Sequence, residues 1–192
     1  MKIVTEVGQL AGVLTAASAE ARAAFGDDTL YLERYIANAR HIEVQVLGDA
    51  HGNVIHLGER DCSTQRRHQK VIEEAPAPDI SEAFRENICQ AAVSLASNIG
   101  YEGAGTVEFI ADQDRGEFYF LEMNCRIQVE HPVSEMITGI DIVQGQFRVA
   151  GGAPLEISQD DVTINGHAIE CRINAEIAAE DFRPCPGLIT TW

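Results

Sequence analysis

The segment Phe118 to Glu130 alternates with a period of two over most of its length. Glu122, Asn124, Arg126, Gln128 and Glu130 fall on one face of an extended chain, and Met123, Cys125, Ile127 and Val129 fall on the other. Successive side chains of a strand point to opposite faces, so five polar groups would line up along about 27 Å at roughly 3.3 Å per residue. Phe118 and Phe120 continue the Glu122 face by the same count, which predicts a cleft floor that turns from apolar to polar. A strand with one wet side is the plainer reading of the same alternation. Against it, Asn is a poor strand former, and Glu, Asn, Arg, Gln, Glu is an odd set for solubility alone.

The rest of the chain is read in the same way. Residues 2–5 predict a short strand, and the Ala-rich stretch 6–25 one or two helices. Thr29 to Ile36 and Arg40 to Leu47 alternate like strands. Asp49 to Asn53 is a hairpin turn, followed by a strand from Val54 to about Arg60, a cationic loop, and a strand from Val71 to Ala75. Ile80 to Ile99 is an amphipathic helix with Ser81 as its cap and Gly100 at its end. Gly105 to Asp112 is a strand joined to the Phe118 segment by a polar turn, an antiparallel hairpin that sets Glu108 near Glu122. Two adjacent carboxylates repel unless a cation lies between them. Hard divalent ions take such oxygen ligands together with substrate phosphates; the alternative is two glutamates exposed on a hairpin. His131-Pro132 opens a helix through Met136, since Pro is tolerated in a first turn. A further helix covers Ile140 to Ala150, and a last strand, Gly166 to Ala175, carries Glu170, Arg172 and Asn174 on one face. Hairpins and helices without a βαβ rhythm give an α+β class with a mainly antiparallel sheet.

Charge sharpens this picture. The 192 residues carry a formal net charge of −16, which disfavours nucleic acid as a partner, because such binding rests on neutralising phosphates. Arg60, Arg66, Arg67 and Lys70, with His68, nevertheless crowd into residues 59–70, where they would attract a compact anion. Surface ion pairs are the alternative for Arg66 and Arg67. The five cysteines (62, 89, 125, 171, 185) form no Cys-x-x-Cys pair and suit a reducing compartment. No apolar run reaches the roughly 18 residues that a membrane helix needs, so no membrane partner is expected. His51 and His56 read as a turn residue and a strand residue.

Five strings carry a specific resemblance: Glu59-Arg-Asp-Cys-Ser-Thr-Gln-Arg-Arg-His-Gln-Lys70, Glu73 to Pro78, Gly103 to Phe109, Glu122 to Val133 and Gly166 to Glu176. In this order they resemble the biotin carboxylase component of biotin-dependent carboxylases, including acetyl-CoA and related acyl-CoA carboxylases of fatty acid biosynthesis. The likeness runs from residue 1 to 192. It implies an ATP-grasp fold, mainly antiparallel sheet with flanking helices and incomplete here. Residues 1–36 would be the end of the ATP-grasp lid, and 37–192 the central sheet domain with the start of the C-terminal region.

The resemblance also implies an activity: ATP and bicarbonate carboxylate biotin on a carrier protein, via carboxyphosphate. Glu108 and Glu122, with Asn124, match metal positions for Mg²⁺ or Mn²⁺. Lys70 and Arg126 match bicarbonate contacts, with Gln128 and the backbone of Val129. Glu130 matches the base that deprotonates bicarbonate, and Arg172 the cation that stabilises the oxyanion of deprotonated biotin. Glu33, Arg34 and Ile36 match a hinge against adenine. His41, Gln65 and His68 match further nucleotide contacts, and Ile110 would pack near the base. For His41 and Ile110, ordinary strand and core roles stay open. Cys125 stands on the apolar face where the family has a small hydroxyl residue, and no thiol chemistry is expected of it.

The implied partners are a biotin carboxyl carrier protein or domain, a carboxyltransferase and, for the full-length enzyme, a second copy. The implied compartment is the cytoplasm, or an organellar matrix in a eukaryote. The family's preceding α/β domain and glycine-rich phosphate loop match nothing in the 192 residues. Weak nucleotide binding and little or no carboxylation are therefore expected of the isolated chain. A non-catalytic nucleotide-binding module derived from such an enzyme, or another ATP-grasp carboxylate–amine ligase, are the competing readings.

Overall fold

The computed structural model describes residues 2–191. The chain divides into two units, residues 1–37 and 38–192. In the first, a 3-10 turn (Val7–Gln9) leads into α1 (Leu10–Phe25), which stops where Gly26 takes φ 76° and returns its N–H to the Arg22 carbonyl at 3.0 Å. Gly adopts this left-handed conformation without a Cβ penalty. Neither 2–5 nor 29–36 forms a strand. Alternation alone does not make one: an extended segment becomes a strand only with a ladder partner for its backbone, and no described residue pairs with either segment.

The second unit is built on a six-stranded, wholly antiparallel sheet: β1 (Ala39–Gly48), β2 (Val54–Arg66), β3 (Gln69–Ala75), β4 (Gly103–Asp112), β5 (Glu117–Asn124) and β6 (Ala168–Cys171), in the order β5-β4-β1-β2-β3-β6. Two short strands, β7 (Glu176–Ile177) and β8 (Arg183–Pro184), pair separately. One sheet face is covered by α2 (Glu82–Asn98), whose N-terminus is capped by Ser81 Oγ accepting from the Phe84 N–H at 3.2 Å. Ile42, Val44 and Val46 of β1 and Val107, Phe109 and Ala111 of β4 pack there against Ile88, Cys89, Ala92 and Ala96. Each large side chain buried this way contributes about 1.5–3 kcal/mol. The other face carries α3 (His131–Thr138) over β2, β3 and β6, and α4 (Ile142–Ala150) over β4 and β1. Apolar packing there is confined to two patches, one around Leu47, Ile55, Leu57 and Ile142 and one around Ala75, Val133 and Ile137. Between them the face is polar.

Two departures from the alternation decide what points where. In β2, Leu57 and Gly58 together oppose Gln45, because Val46 pairs with His56 and Val44 with Glu59. Gly58 holds φ 80° in this bulge. The extra residue flips the parity of the strand, so that Arg60 lands on the α3 face and Glu59 on the α2 face. In β5 the register slips at Leu121: Glu122 pairs with Glu108, but Phe120 pairs with Phe109. Phe118 and Phe120 therefore stack edge-on against Phe109 on the α2 side, and do not continue the Glu122 face. The expected floor running from phenylalanines to glutamate is thereby corrected.

Three further expectations change. The cationic loop is a hairpin: β2 runs on to Arg66, β3 starts at Gln69, and Arg67 and His68 form a two-residue turn with both φ values positive. The polar strand ends at Asn124, and 125–130 is irregular chain that leads into α3, with Cys125 and Val129 exposed. The last strand is four residues long, although the Arg172 N–H still donates to the Val71 carbonyl at 3.0 Å.

Candidate active site

The polar centre of the α3 face is organised by two cations. Arg60 is fully buried. Its Nε donates to Glu43 Oε1 at 2.8 Å, and Nη1 donates to Gln45 Oε1 at 2.8 Å and Ser134 Oγ at 2.9 Å. Nη2 reaches Thr106 and Gln128 at 3.4 and 3.5 Å. One guanidinium thus ties β1, β4 and α3 together. Lys70 enters from the hairpin. Its Nζ donates to Glu43 Oε2 at 2.5 Å, Glu108 Oε1 at 3.0 Å and Glu130 Oε1 at 2.6 Å. Two carboxylates about 4 Å apart repel by about 4 kcal/mol at an effective dielectric of about 20, so their convergence requires the ammonium.

The neighbouring carboxylates respond accordingly. Burial alone would raise Glu108, but His41, Gln128 and Lys70 outweigh it and hold the group down at about 2. Glu43 is driven below the ordinary carboxylate range against its own burial by Arg60, His41 and Lys70. Burial would lower His41, yet Glu108 and Glu43 raise it to about 9. Its Nε2 stands 2.8 Å from Glu108 Oε2, in a contact whose alignment falls short of a hydrogen bond. Lys70 is raised, because Glu43 and Glu130 overcome its desolvation.

Glu108 and Glu122 are direct partners in the β4–β5 ladder, as the hairpin reading requires. Asn124 Nδ2 donates to Glu108 Oε1 at 2.9 Å and Glu122 Oε1 at 3.3 Å, and Arg126 Nη2 donates to Asn124 Oδ1 at 3.2 Å. Gln128 Nε2 donates to Glu108 Oε1 at 2.8 Å. Glu130 is buried and held from two sides: Lys70 on Oε1, and Arg172 Nη2 on Oε2 at 2.6 Å. Arg172 Nε donates to Glu73 Oε1 at 2.6 Å.

Two further donor groups could in principle take a metal ion: His41, Glu43 and Glu108, and Glu43, Cys62 and Glu130. Lys70 already occupies the space between these carboxylates. Cys62 is a poor ligand besides, since burial pushes its thiol far up and keeps it protonated. Glu108, Glu122 and the Asn124 amide are hard oxygen donors at the open edge of the cluster, the chemistry that suits Mg²⁺. In the structure the Asn124 nitrogen faces the carboxylates, and rotating the amide by half a turn would present its oxygen instead.

The structure therefore gathers Lys70, Glu108, Glu122, Asn124, Arg126, Gln128, Glu130, Arg172 and His41 on one face. Gln65, on β2, lies beside His41, its Nε2 3.3 Å from His41 Nδ1. Ile110 is half-buried on β4 opposite His41. His68 sits at the hairpin tip and Val129 in an exposed turn, neither in the cluster. Glu33, Arg34 and Ile36 belong to the first unit, in its non-strand segment. Arg66 and Arg67 pair with Glu176 and Asp181, which favours ion pairing for both. The sequence reading missed Glu43, Gln45, Glu73, Thr106 and Ser134, and did not assign Arg60 to the site. Their one visible sign was polarity inside otherwise apolar strands, as in Ile42-Glu-Val-Gln-Val46. The five cysteines are free.

Comparison with known proteins places these observations in a family context. Residues 1–158 match the family described as carbamoyl-phosphate synthase L chain, ATP binding domain. The whole chain is 55% identical to biotin carboxylase 1 of Populus trichocarpa chloroplasts, covering 36% of that protein. It is 58% identical to the mitochondrial methylcrotonoyl-CoA carboxylase subunit alpha of Arabidopsis thaliana, covering 26% of it. It is 55% identical to the biotin carboxylase of Nostoc, covering 43%. The chain thus spans well under half the length of these relatives. Among solved structures, the biotin carboxylase domain of a thermophilic 2-oxoglutarate carboxylase bound to bicarbonate aligns with TM-score 0.89 and 55% identity over 93% of this chain and 40% of its own. The biotin carboxylase–β,γ-ATP complex from Campylobacter jejuni aligns with TM-score 0.87 and 54% identity over all of this chain and 42% of that one.

Proposed function

The chain belongs to the carbamoyl-phosphate synthase L chain ATP-binding domain family, and on that premise we propose that it is part of a biotin carboxylase. Its fold is part of the ATP-grasp architecture, the antiparallel sheet with flanking helices seen in biotin carboxylase structures. The proposed activity is ATP- and bicarbonate-dependent carboxylation of biotin on a carrier protein, via carboxyphosphate. The observation that carries it is the convergence of Glu43, Glu108 and Glu130 on Lys70, with Arg172 on the far side of Glu130.

In this reading Glu108, Glu122 and Asn124 hold the divalent ion, Mg²⁺ or Mn²⁺, which when bound offsets charge on the nucleotide phosphates. Lys70 and Arg126 bind bicarbonate, an oxygen-rich anion whose plane suits the Arg126 fork. Gln128 and the Val129 backbone complete that contact. Glu130 takes the bicarbonate proton on a carboxylate oxygen, a role that requires hydrogen-bond reach of the substrate hydroxyl. Arg172 stabilises the oxyanion that forms on the biotin ureido group, a fixed cation aimed where charge develops. His41, Gln65, His68 and Ile110 make nucleotide contacts on the sheet unit; Glu33, Arg34 and Ile36 keep, in the first unit, the adenine-hinge role that the resemblance implies. Residues 1–36 act as the end of a lid. The carrier, the carboxyltransferase, a dimeric full-length enzyme and a cytoplasmic or organellar location belong to the same proposal. Among the described residues no helix is long and apolar enough to cross a membrane.

Since the relatives are more than twice as long, turnover is best tested by substituting these 192 residues for the matching segment of the Nostoc enzyme. Biotin-dependent release of phosphate from ATP and bicarbonate, abolished by Glu130→Gln, is expected. A folded chimera that binds Mg-nucleotide without biotin-dependent turnover would favour a non-catalytic nucleotide-binding module.

A further inference from the structure

Glu73 on β3 and Glu170 on β6 are direct partners in the antiparallel ladder, so their side chains leave the same face with Cβ atoms about 4.5–5.5 Å apart. Glu73 is fully buried and Glu170 half-buried. On each, Oε2 is buried and has no hydrogen-bond partner among the described residues. A buried carboxylate oxygen with no donor carries its whole desolvation cost. Two such carboxyls leaving one face as ladder partners relieve one another if one keeps its proton and donates it to the other. Like carboxylates that share a site hold one proton for this reason.

Neither nearby cation donates a hydrogen bond to the two orphan oxygens. Arg172 spends its Nε on Glu73 Oε1 and its Nη2 on Glu130 Oε2, both at 2.6 Å. Lys70 is engaged by Glu43, Glu108 and Glu130. The groups that act on the pair are thus Arg172, next to β6; Glu130 and His131, at the start of α3; and Glu43, on β1. Three of the carboxylates around Arg172 (Glu73, Glu130 and Glu170) share its single positive charge. Burial is the largest influence on both members of the pair and pushes both upward, with Arg172 opposing.

We infer that Glu73 and Glu170 share one proton, so that the pair carries a single negative charge, and that Glu73 is a positioning residue that aims Arg172 at Glu130. The protonated partner is Glu170, because Glu73 accepts from the guanidinium. A neutral Glu170 does not compete for Arg172, whose second nitrogen stays on Glu130. The inference rests on the proposed function only for what Arg172 does when substrate is present; the proton and the arginine geometry are properties of the chain itself.

The experiment therefore uses no activity. Infrared spectra of the chain at neutral pH, compared among wild type, Glu170→Gln and Glu73→Gln, read the protonated carboxyl. A carbonyl band of a protonated carboxyl in wild type that disappears in both variants is expected. Its absence from wild type, or its persistence in Glu170→Gln, overturns the shared proton. Thermal unfolding adds a sign. A carboxyl raised in the folded state contributes fully below its unfolded value, near 4.5, and loses that contribution as pH rises through the folded one. Glu170→Gln keeps a donor at all pH values. Its melting temperature should therefore climb relative to wild type as pH rises above that unfolded value. A flat difference counts against the proposal. Nitrogen-resolved NMR of the Arg172 Nε–H tests the positioning: a slowly exchanging signal retained in Glu170→Gln and averaged with solvent in Glu73→Leu, which has no acceptor, is expected. A signal unchanged in a folded Glu73→Leu removes the positioning role.

Discussion

Arg60 and Glu43 face each other across the β1–β2 ladder with neither side chain exposed, and their closest contact is 2.7 Å. A buried pair of this kind adds little over well-packed apolar side chains, but removing one partner strands a charge and costs about 3–5 kcal/mol. Arg60→Ala should therefore lower stability by about that amount in urea unfolding. Combining Arg60→Met with Glu43→Met should cost clearly less than the two single changes added together. Additive losses would show that the pair is not coupled.

Gly58 puts Arg60 on the correct face. Its φ of 80° is one that side chains with a Cβ disfavour, and a Cβ built there would lie 3.1 Å from Ile164 Cδ1. Gly58→Ala should cost about 1–2 kcal/mol from the backbone alone. Relaxing the bulge would also shift the parity of β2, so the Arg60 Nε–H signal should change in NMR. A stable variant with an unchanged Arg60 environment would remove the bulge from the account.

Asp49 closes the β1–β2 hairpin. Its carboxylate accepts from the backbone N–H groups of His51, Asn53 and Leu155 and from Asn53 Nδ2, at 2.8–2.9 Å. Burial would raise it, but these donors win and hold it well below its ordinary value of 3.8. A depressed folded value means that the contribution is full above the unfolded value and is lost as pH falls through the folded one. Wild type should thus lose stability on acidification below about pH 4, and Asp49→Asn should lose about 2–3 kcal/mol at neutral pH with a shallower acid slope. Parallel pH–stability curves would contradict this.

Lys70 is one of the groups holding Glu108 near 2. In Lys70→Gln the Glu108 carboxyl should move upward, read by carbon NMR titration. Lys70→Arg should restore it only in part, because a planar fork does not match three converging carboxylates as a compact ammonium does.

Much of this arrangement could be read from the sequence where local rules act alone. The Glu108–Glu122 pairing followed from hairpin geometry, and α2 from its cap and its periodicity. What escaped were the non-local features. The slip at Leu121 and the bulge at Gly58 each change parity by one residue, and a count of two has no means of registering them. The segment 29–36 alternates but meets no ladder partner. Glu43, Gln45 and Glu73 looked like strand residues of no special kind, because their partners Arg60, Lys70 and Arg172 are far away in sequence. A divalent ion between Glu108 and Glu122 and an anion near Lys70 were suggested by the pattern itself, whereas the individual bicarbonate and nucleotide roles came from the resemblance; all of them are proposals.

In the proposed site Glu108 and Glu122, bridged by Asn124, hold a divalent ion against nucleotide phosphates. Calorimetric titration of ATP into the chain, with and without Mg²⁺, addresses it most directly when repeated on Glu108→Gln and Glu122→Gln. Mg²⁺-dependent binding is expected in wild type and should weaken by about tenfold or more in each variant, a loss of about 1.4 kcal/mol, while Mg²⁺-free binding is unchanged. Wild-type affinity that is the same with and without Mg²⁺, or variants that bind Mg·ATP as wild type does, would contradict it.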